Sequence, residues 1–410
     1  MPEFKIDRLG HGGDGMVLTP EGTLVFAPMA LPTEVIEGTV SGDRVTDFRI
    51  VTPSEDRIKA PCAHYRACGG CNLMHATESF VAQWKSDLIT SALRAQGIEA
   101  TIEVLHTSPP RSRRRAKFAA TRTKAGAIVG FNGRASHAVH AVPNCMLITP
   151  ELTALLPVLE EITKRCASRR VVLEVTVTQV DGGFDLSIVG GEPPNEQTVM
   201  ECATLCAQHH ILRWSWNHDV LIQADRPKVQ LGRALAPMPA GAFLQATHHG
   251  QSVLQDAVLS HIGSASKVAD LFCGIGTLTF AIAQQADVDG FEYSRDMINA
   301  LIAGRNATQS LKPIQGFARD LFKNPVLTQE LKVYDAVVLD PPRAGAASQI
   351  REIAASDVPI VSYVSCSPQS FAKDAAQLIQ AGYQMSSIVA VDQFRWSAHV
   401  ELAACFTKEV

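Results

Sequence analysis

The chain lacks an uninterrupted apolar run of about 18 residues, the length a membrane-spanning helix needs, although 46% of its 410 residues are hydrophobic. Residues Met1 to Gly10 also lack the apolar core of a secretory leader, so the expectation is a cytoplasmic protein with no membrane partner. Net positive charge is missing too. The 37 Lys and Arg residues stand against 41 Asp and Glu, and a formal charge of −4 gives no global field to draw the chain onto nucleic acid. No internal repeat or low-complexity segment is present, which excludes solenoid and linker-like architectures. A third glycine after Gly274 and Gly276 is absent, Thr279 standing in its place, so the fingerprint for a dinucleotide pyrophosphate is not met.

What remains around those two glycines is still a ligand loop. Lys267-Val-Ala-Asp-Leu-Phe-Cys-Gly-Ile-Gly-Thr277 predicts a buried strand, a tight turn at Gly274 and Gly276, and a helix over 277–285. Asp270 before the turn and Glu292 at the end of the next strand suit an adenosyl sulfonium ligand, whose ribose hydroxyls need a carboxylate acceptor. Downstream, apolar runs at 287–291, 313–317, 334–339, 359–364 and 383–391 alternate with helical stretches near 294–308, 347–355 and 370–381. That rhythm is α/β, a doubly wound parallel sheet of the Rossmann-like kind. Ligands of such sheets lie beyond the carboxyl ends of the strands, which singles out Phe272, Glu292, Asp320, Asp340 and Cys366.

Three short motifs follow. In Asp340-Pro-Pro-Arg343 the two prolines remove backbone donors and stiffen the chain, fixing where Asp340 and Arg343 point. Cys366 lies between a strand and a helical run beginning at Gln369, a position expected to lower a thiol's pKa and make it a nucleophile. In His399-Val-Glu401, alternation predicts that His399 and Glu401 share one face of a strand, and apolar neighbours are expected to raise the Glu401 pKa toward that of a general base.

Cys62, Cys68, Cys71 and Cys145 form a second constellation. Cys68-Gly-Gly-Cys71 places two thiols on one glycine turn, as chelation of a soft metal requires, and in a cytosolic chain such cysteines are metal ligands more often than disulfides. Iron–sulfur is the first reading, zinc the second and a reduced structural cluster the third, with the distant Cys145 as fourth ligand. His64 and His75 are expected to be solvent-exposed, and Cys166, Cys202, Cys206, Cys273 and Cys405 to fill cores. Between 101 and 140 eight Lys and Arg residues oppose Glu103 alone, and the run Arg113-Arg-Arg-Ala-Lys-Phe118 suggests phosphate contact.

In order along the chain, C-x5-C-G-G-C, D-L-F-C-G-x-G, D-P-P-R, S-C-x-P and H-V-E resemble the S-adenosylmethionine-dependent RNA 5-methyluridine methyltransferases, over nearly the whole length. The resemblance implies that Cys366 attacks uracil C6 and Glu401 removes the C5 proton. It further implies that Gln245, Phe272, Thr277, Glu292, Asp320 and Asp340 contact S-adenosylmethionine, Asp340 lying beside the target base, and that the four cysteines hold a 4Fe-4S cluster. Thr277 and Ser367 depart from the family's usual asparagines, and Arg395-Trp-Ser397 from a proline-containing segment. The expected organisation is a TRAM-like, OB-like β-barrel over 1–52, carrying few positive charges, a β-rich central domain over 53–235 and a class I methyltransferase domain over 236–410. Helix Thr77 to Gly97 is a candidate to pack on the last of these instead. Ribosomal RNA, most specifically 23S, is favoured over transfer RNA because transfer-RNA members generally lack the barrel and the cluster. An iron–sulfur RNA-binding protein without turnover is the alternative from another class. Amino-group and cytosine-5 methyl transfer fit less well, since Arg343 stands where the former needs an aromatic and no cysteine adjoins the proline pair. Monomer is the default.

Overall fold

The computed structural model describes residues 2–19 and 22–409; positions 1 and 410, which bound the expected domains, lie outside them. Three large sheets and a short hairpin organise the described residues. The first sheet is built from six strands between Glu3 and Thr52, around a small core of Phe4, Ile6, Val17, Val25, Ile36 and Val45. The second has seven strands between Arg115 and Gln223, backed by the helices Pro150–Cys166 and Glu196–Gln208.

The third sheet has eight strands. From one edge they run Ile314–Ala318, Asp287–Glu292, Lys267–Leu271, Ala336–Leu339, Ile360–Ser365, Glu401–Thr407, Gln384–Asp392 and Ile102–Thr107. The first five are mutually parallel, and Glu401–Thr407 runs antiparallel to both its neighbours. Strands 267–271, 336–339 and 360–365 are buried almost throughout, as expected where helices cover both faces. One apolar layer collects residues of His248–Ile262 and Arg295–Ala307; the other collects Ala347–Ala354 and Pro368–Gln380. The chain order reverses between strands 267–271 and 336–339, which opens a crevice at their carboxyl ends.

Three expectations need correction. Residues 78–107 leave the central region assigned to 53–235, in the way anticipated for the helix at 77–97. Helix Glu78–Arg94 buries Ile89 and Leu93 in the second apolar layer of the large sheet, and strand Ile102–Thr107 adds to its edge parallel to Gln384–Asp392. The helix after the glycine turn spans only Thr279–Ile282, because turns over 283–286 lead into the strand at Asp287. His399 lies outside the final strand. Strand 384–392 pairs no further than Val391 with Glu401, and before that point the chain turns at Phe394–Ser397, with Trp396 at φ 62.

That turn is anchored by a buried ion pair. Lys85 Nζ lies 2.6 Å from Asp392 Oδ1 and also donates to the Phe394 carbonyl at 3.3 Å. Both side chains are excluded from water, which pushes the Lys85 pKa down and the Asp392 pKa up, so each charge depends on the other. Replacing Lys85 with Met would strand the Asp392 carboxylate. The expected cost is about 3 kcal/mol or more of unfolding free energy, read from urea denaturation, and a double change Lys85→Met with Asp392→Leu should recover most of it.

Candidate active site

The crevice at the carboxyl ends of the parallel strands widens into a cavity of about 1070 Å³. All eight residues expected at the cofactor and the reacting base line it: Gln245, Phe272, Thr277, Glu292, Asp320, Asp340, Cys366 and Glu401. They come from seven separate stretches of chain. What brings them together is that strands 267–271, 287–292, 314–318, 336–339 and 360–365 all end at the same rim.

At the glycine turn, Gly276 has φ +98, and a Cβ there would stand 2.6 Å from Leu301 Cδ1, so no larger residue fits. Phe272 adopts φ +64, an uncommon conformation for a bulky residue, and packs its ring 5.5 Å from that of Phe322. Glu292 ties two loops by accepting from Gly274 N at 3.3 Å and Ser294 N at 2.9 Å. Asp320 accepts from Phe322 N at 3.1 Å, closing its own turn. Asp270, wholly buried beneath the turn, accepts from Thr279 Oγ1 at 2.5 Å, and burial lifts its pKa to about 7.

The reacting end combines a thiol with two carboxyl groups. Cys366 is half-buried between strand Ile360–Ser365 and helix Pro368–Gln380, where Ser367 caps the helix by accepting from Ser370 N. Its pKa is not lowered as expected. Burial, followed by the charges of Glu401 and Asp340, pushes it up to about 11, while Arg343 opposes the rise; the helix terminus is too weak to offset them. Burial and then Asp340 raise Glu401 to about 8, against a hydrogen bond from Gln393; burial alone brings Asp340 to about 7. His399 still faces the cavity, with Nδ1 3.2 Å from Arg343 Nη2. Sequence reasoning missed Gln393, whose amide sits between Gln245 and Glu401. Only the pairing of Val391 with Glu401 reveals that nearness.

The basic run behaves less uniformly than its composition suggests. Lys117 is exposed and Arg113 lines the cavity, but Arg114 is buried, donating to Gln245 O at 3.1 Å and Gln251 Oε1 at 2.7 Å. Arg114 is therefore a strut under Gln245 and cannot reach phosphate.

Cys62, Cys68, Cys71 and Cys145 converge on a second, smaller cavity, which shares Gly70, Phe131 and Leu147 with the large one. Gly70 N and Leu147 N each approach a sulfur at 3.4 Å, that of Cys68 and of Cys145 respectively. Burial and mutual repulsion raise the Cys68 and Cys145 pKa values and bring Cys71 to about 12. Among the described residues, no three His, Cys, Asp or Glu side chains are grouped closely enough to hold a metal ion. His75 is buried, not exposed as expected; its Nδ1 lies 2.6 Å from the Tyr65 hydroxyl, and desolvation drops its pKa to about 4. Among the described residues no helix is long and apolar enough to cross a membrane.

Comparison with known proteins agrees with this geometry. Residues 238–409 match the family described as tRNA (Uracil-5-)-methyltransferase. An uncharacterized RNA methyltransferase of Caulobacter vibrioides is 37% identical over 417 residues, spanning 100% of both chains. One from Brucella melitensis is 36% identical over 406 residues, covering 99% of this chain and 98% of the relative. A 23S rRNA (uracil(1939)-C(5))-methyltransferase, RlmD, of Halomonas elongata is 28% identical over 97% of this chain and 88% of its own. The fold is shared with the Pyrococcus abyssi tRNA (uracil-54, C5)-methyltransferase solved with S-adenosyl-L-homocysteine, at TM-score 0.74 and 19% identity, over 99% of this chain and 100% of that one. With a glycine-turn crevice, a thiol and a buried carboxyl group in one cavity, and relatives of this kind along its whole length, the chain belongs to the S-adenosylmethionine-dependent RNA (uracil-5-)-methyltransferases.

Proposed function

We propose that the protein methylates C5 of a uridine in 23S ribosomal RNA, in the cytoplasm, through a transient bond between Cys366 and uracil C6. The observation that carries this reading is the placement of Cys366 and Glu401 in the same cavity as the cofactor residues. S-adenosylmethionine, held along Gln245, Phe272, Thr277, Glu292, Asp320 and Asp340, supplies an electrophilic methyl group. Neutral uracil is too weak a carbon nucleophile to accept it unaided. Addition of the Cys366 thiolate to C6 moves the electrons of the C5–C6 double bond onto C5 and the O4 carbonyl. C5 would then take the methyl group as its bond to the sulfonium sulfur breaks and S-adenosylhomocysteine leaves; Glu401 removes the remaining C5 proton, the C6–sulfur bond breaks to return the Cys366 thiolate, and the double bond is restored. A carboxyl group with a pKa of about 8 is matched to that task near neutral pH.

Departures from the family pattern are accommodated locally. Ser367 caps its helix, the Thr277 carbonyl accepts from Gln255 Nε2 at 2.7 Å, and Arg395 bonds Ser108 O at 3.0 Å. Support for a ribosomal substrate comes from the Halomonas elongata relative's stated substrate; the N-terminal sheet does not discriminate, because the Pyrococcus abyssi tRNA enzyme shares the fold over 99% of this chain.

A 4Fe-4S cluster would be held by Cys62, Cys68, Cys71 and Cys145, which line one small cavity. Four crowded thiols would repel one another as anions, and bound iron neutralises them; backbone N–H groups already face two of the sulfurs. The cluster's role here is structural. Asn72 N and Leu73 N, next to Cys71, donate to the Trp396 carbonyl at 2.7 and 2.9 Å, so the cysteine loop braces the segment that leads to Glu401.

Two outcomes are expected. Anaerobically purified protein should transfer labelled methyl from S-adenosylmethionine into total RNA of a strain lacking this gene, with 5-methyluridine in the large ribosomal RNA after nucleoside digestion. Cys366→Ala should lose this activity by at least 1,000-fold, on the order of removing an essential nucleophile, while keeping its S-adenosylmethionine affinity; a variant that still methylates would exclude the nucleophile. Iron and acid-labile sulfide assays should return about four of each per chain, falling to background in Cys71→Ser; zinc in their place would contradict the cluster.

A further inference from the structure

The cavity wall behind Glu401 contains a feature that neither the family comparison nor the reaction itself calls for. Gln393 is buried, and its amide is fully used. Oε1 accepts from Thr247 N at 3.3 Å, one Nε2 hydrogen goes to Gln245 Oε1 at 2.6 Å, and the other goes to Glu401 Oε2. Gln245 Nε2 in turn reaches Asp340 Oδ2 at 3.4 Å. The result is an unbroken row of side chains, Asp340–Gln245–Gln393–Glu401, linking a cofactor residue to the base.

The row is directional. The one acceptor of the Gln393 amide faces Thr247 N, so toward Glu401 it can only donate. The space around it is fitted: a Cβ on Gly250 would meet Gln393 Cβ at 2.8 Å and Oε1 at 3.0 Å. Its backbone is held by the neighbouring Asp392–Lys85 ion pair. Glu401 Oε2 is thereby pinned, whereas Oε1 has no partner among the described residues and is the oxygen available to substrate.

We infer that Gln393 is a positioning residue for the general base, holding Glu401 in its ionised form with Oε1 turned toward the uracil C5 proton. The inference rests on the covalent reading above and deepens it. A donor to Oε2 favours the carboxylate against two opposing influences, burial and the Asp340 charge. The charged and titratable groups around Glu401 are Asp340, Cys366, Arg343, His399 and, behind Gln393, the Asp392–Lys85 pair. Removing Gln393 leaves these charges in place and takes away the donor to Glu401, together with the bonds to Gln245 and Thr247 N.

Gln393→Met keeps the volume and removes both donors. Proton abstraction from C5 should slow roughly 10- to 100-fold, the effect of losing a hydrogen bond to a charged group, while addition of Cys366 and methyl transfer continue. The methylated protein–RNA adduct should therefore accumulate on denaturing gels, labelled from S-adenosylmethionine, and the rising limb of the pH–rate profile should move to higher pH. KM for S-adenosylmethionine should stay within a few-fold of wild type. Gln393→Glu, isosteric but charged, serves if the Met variant does not fold, and should displace the limb further. Glu401→Gln run in parallel separates the two claims. If Glu401→Gln traps adduct while both Gln393 variants turn over like wild type, with an unmoved pH profile, the positioning role is wrong. If active wild-type enzyme shows no adduct with any variant, Glu401→Gln included, the covalent reading itself fails.

Discussion

Everything at the reacting end of this protein is shaped by the burial of Glu401 opposite Asp340. Two carboxyl groups and a thiol line one cavity, and desolvation by burial is the largest cause that raises their pKa values to about 8, 7 and 11. In water a glutamate would be ionised at neutral pH and too weak a base to extract a carbon-bound proton usefully. Burial corrects the basicity, at the risk of leaving the group protonated. The amides of Gln245 and Gln393 resolve that conflict, because they are neutral donors that favour the carboxylate without adding a charge.

The same constraint explains why residues far from the chemistry are built so firmly. The turn at 394–397 must deliver Glu401 into the cavity, and it is gripped from two sides. Lys85, from a helix near the N-terminal region, neutralises Asp392 and caps the Phe394 carbonyl; the amides beside Cys71 hold the Trp396 carbonyl. Arg395 adds a bond to Ser108 O and stacks 4.9 Å over Trp396. The cysteine loop and the helix 78–94 thus support the segment that carries Glu401 through the backbone.

Much of this was legible in the sequence because strand ends and loop chemistry are local. The alternation of apolar runs after 267 located the parallel strands to within about two residues, the ordinary scatter of element boundaries, and the rule that ligands collect at strand ends picked out acids that line one cavity. What stayed hidden depends on register and packing. Strand Ile102–Thr107 joins the large sheet across nearly 300 residues of sequence, which no local pattern encodes. A run of cations along the chain does not say which of them points inward, and Arg114 does. Position between a strand and a helix suggested a low thiol pKa for Cys366, but two carboxyl groups supplied by distant segments reverse it. Gln393 carries no motif and gains its place only from the pairing of strands 384–392 and 401–407.

The most direct test of the central claim is a trapping experiment. RNA carrying 5-fluorouridine presents fluorine where Glu401 would otherwise remove a proton, so a reaction that proceeds through addition to C6 must stall after methyl transfer. Digestion and mass spectrometry of the stalled complex should find a methylated fluorouridine joined to the peptide that contains Cys366. An adduct on any other cysteine, or methyl transfer to natural uridine with no trapped species from the fluorinated substrate, would contradict the account.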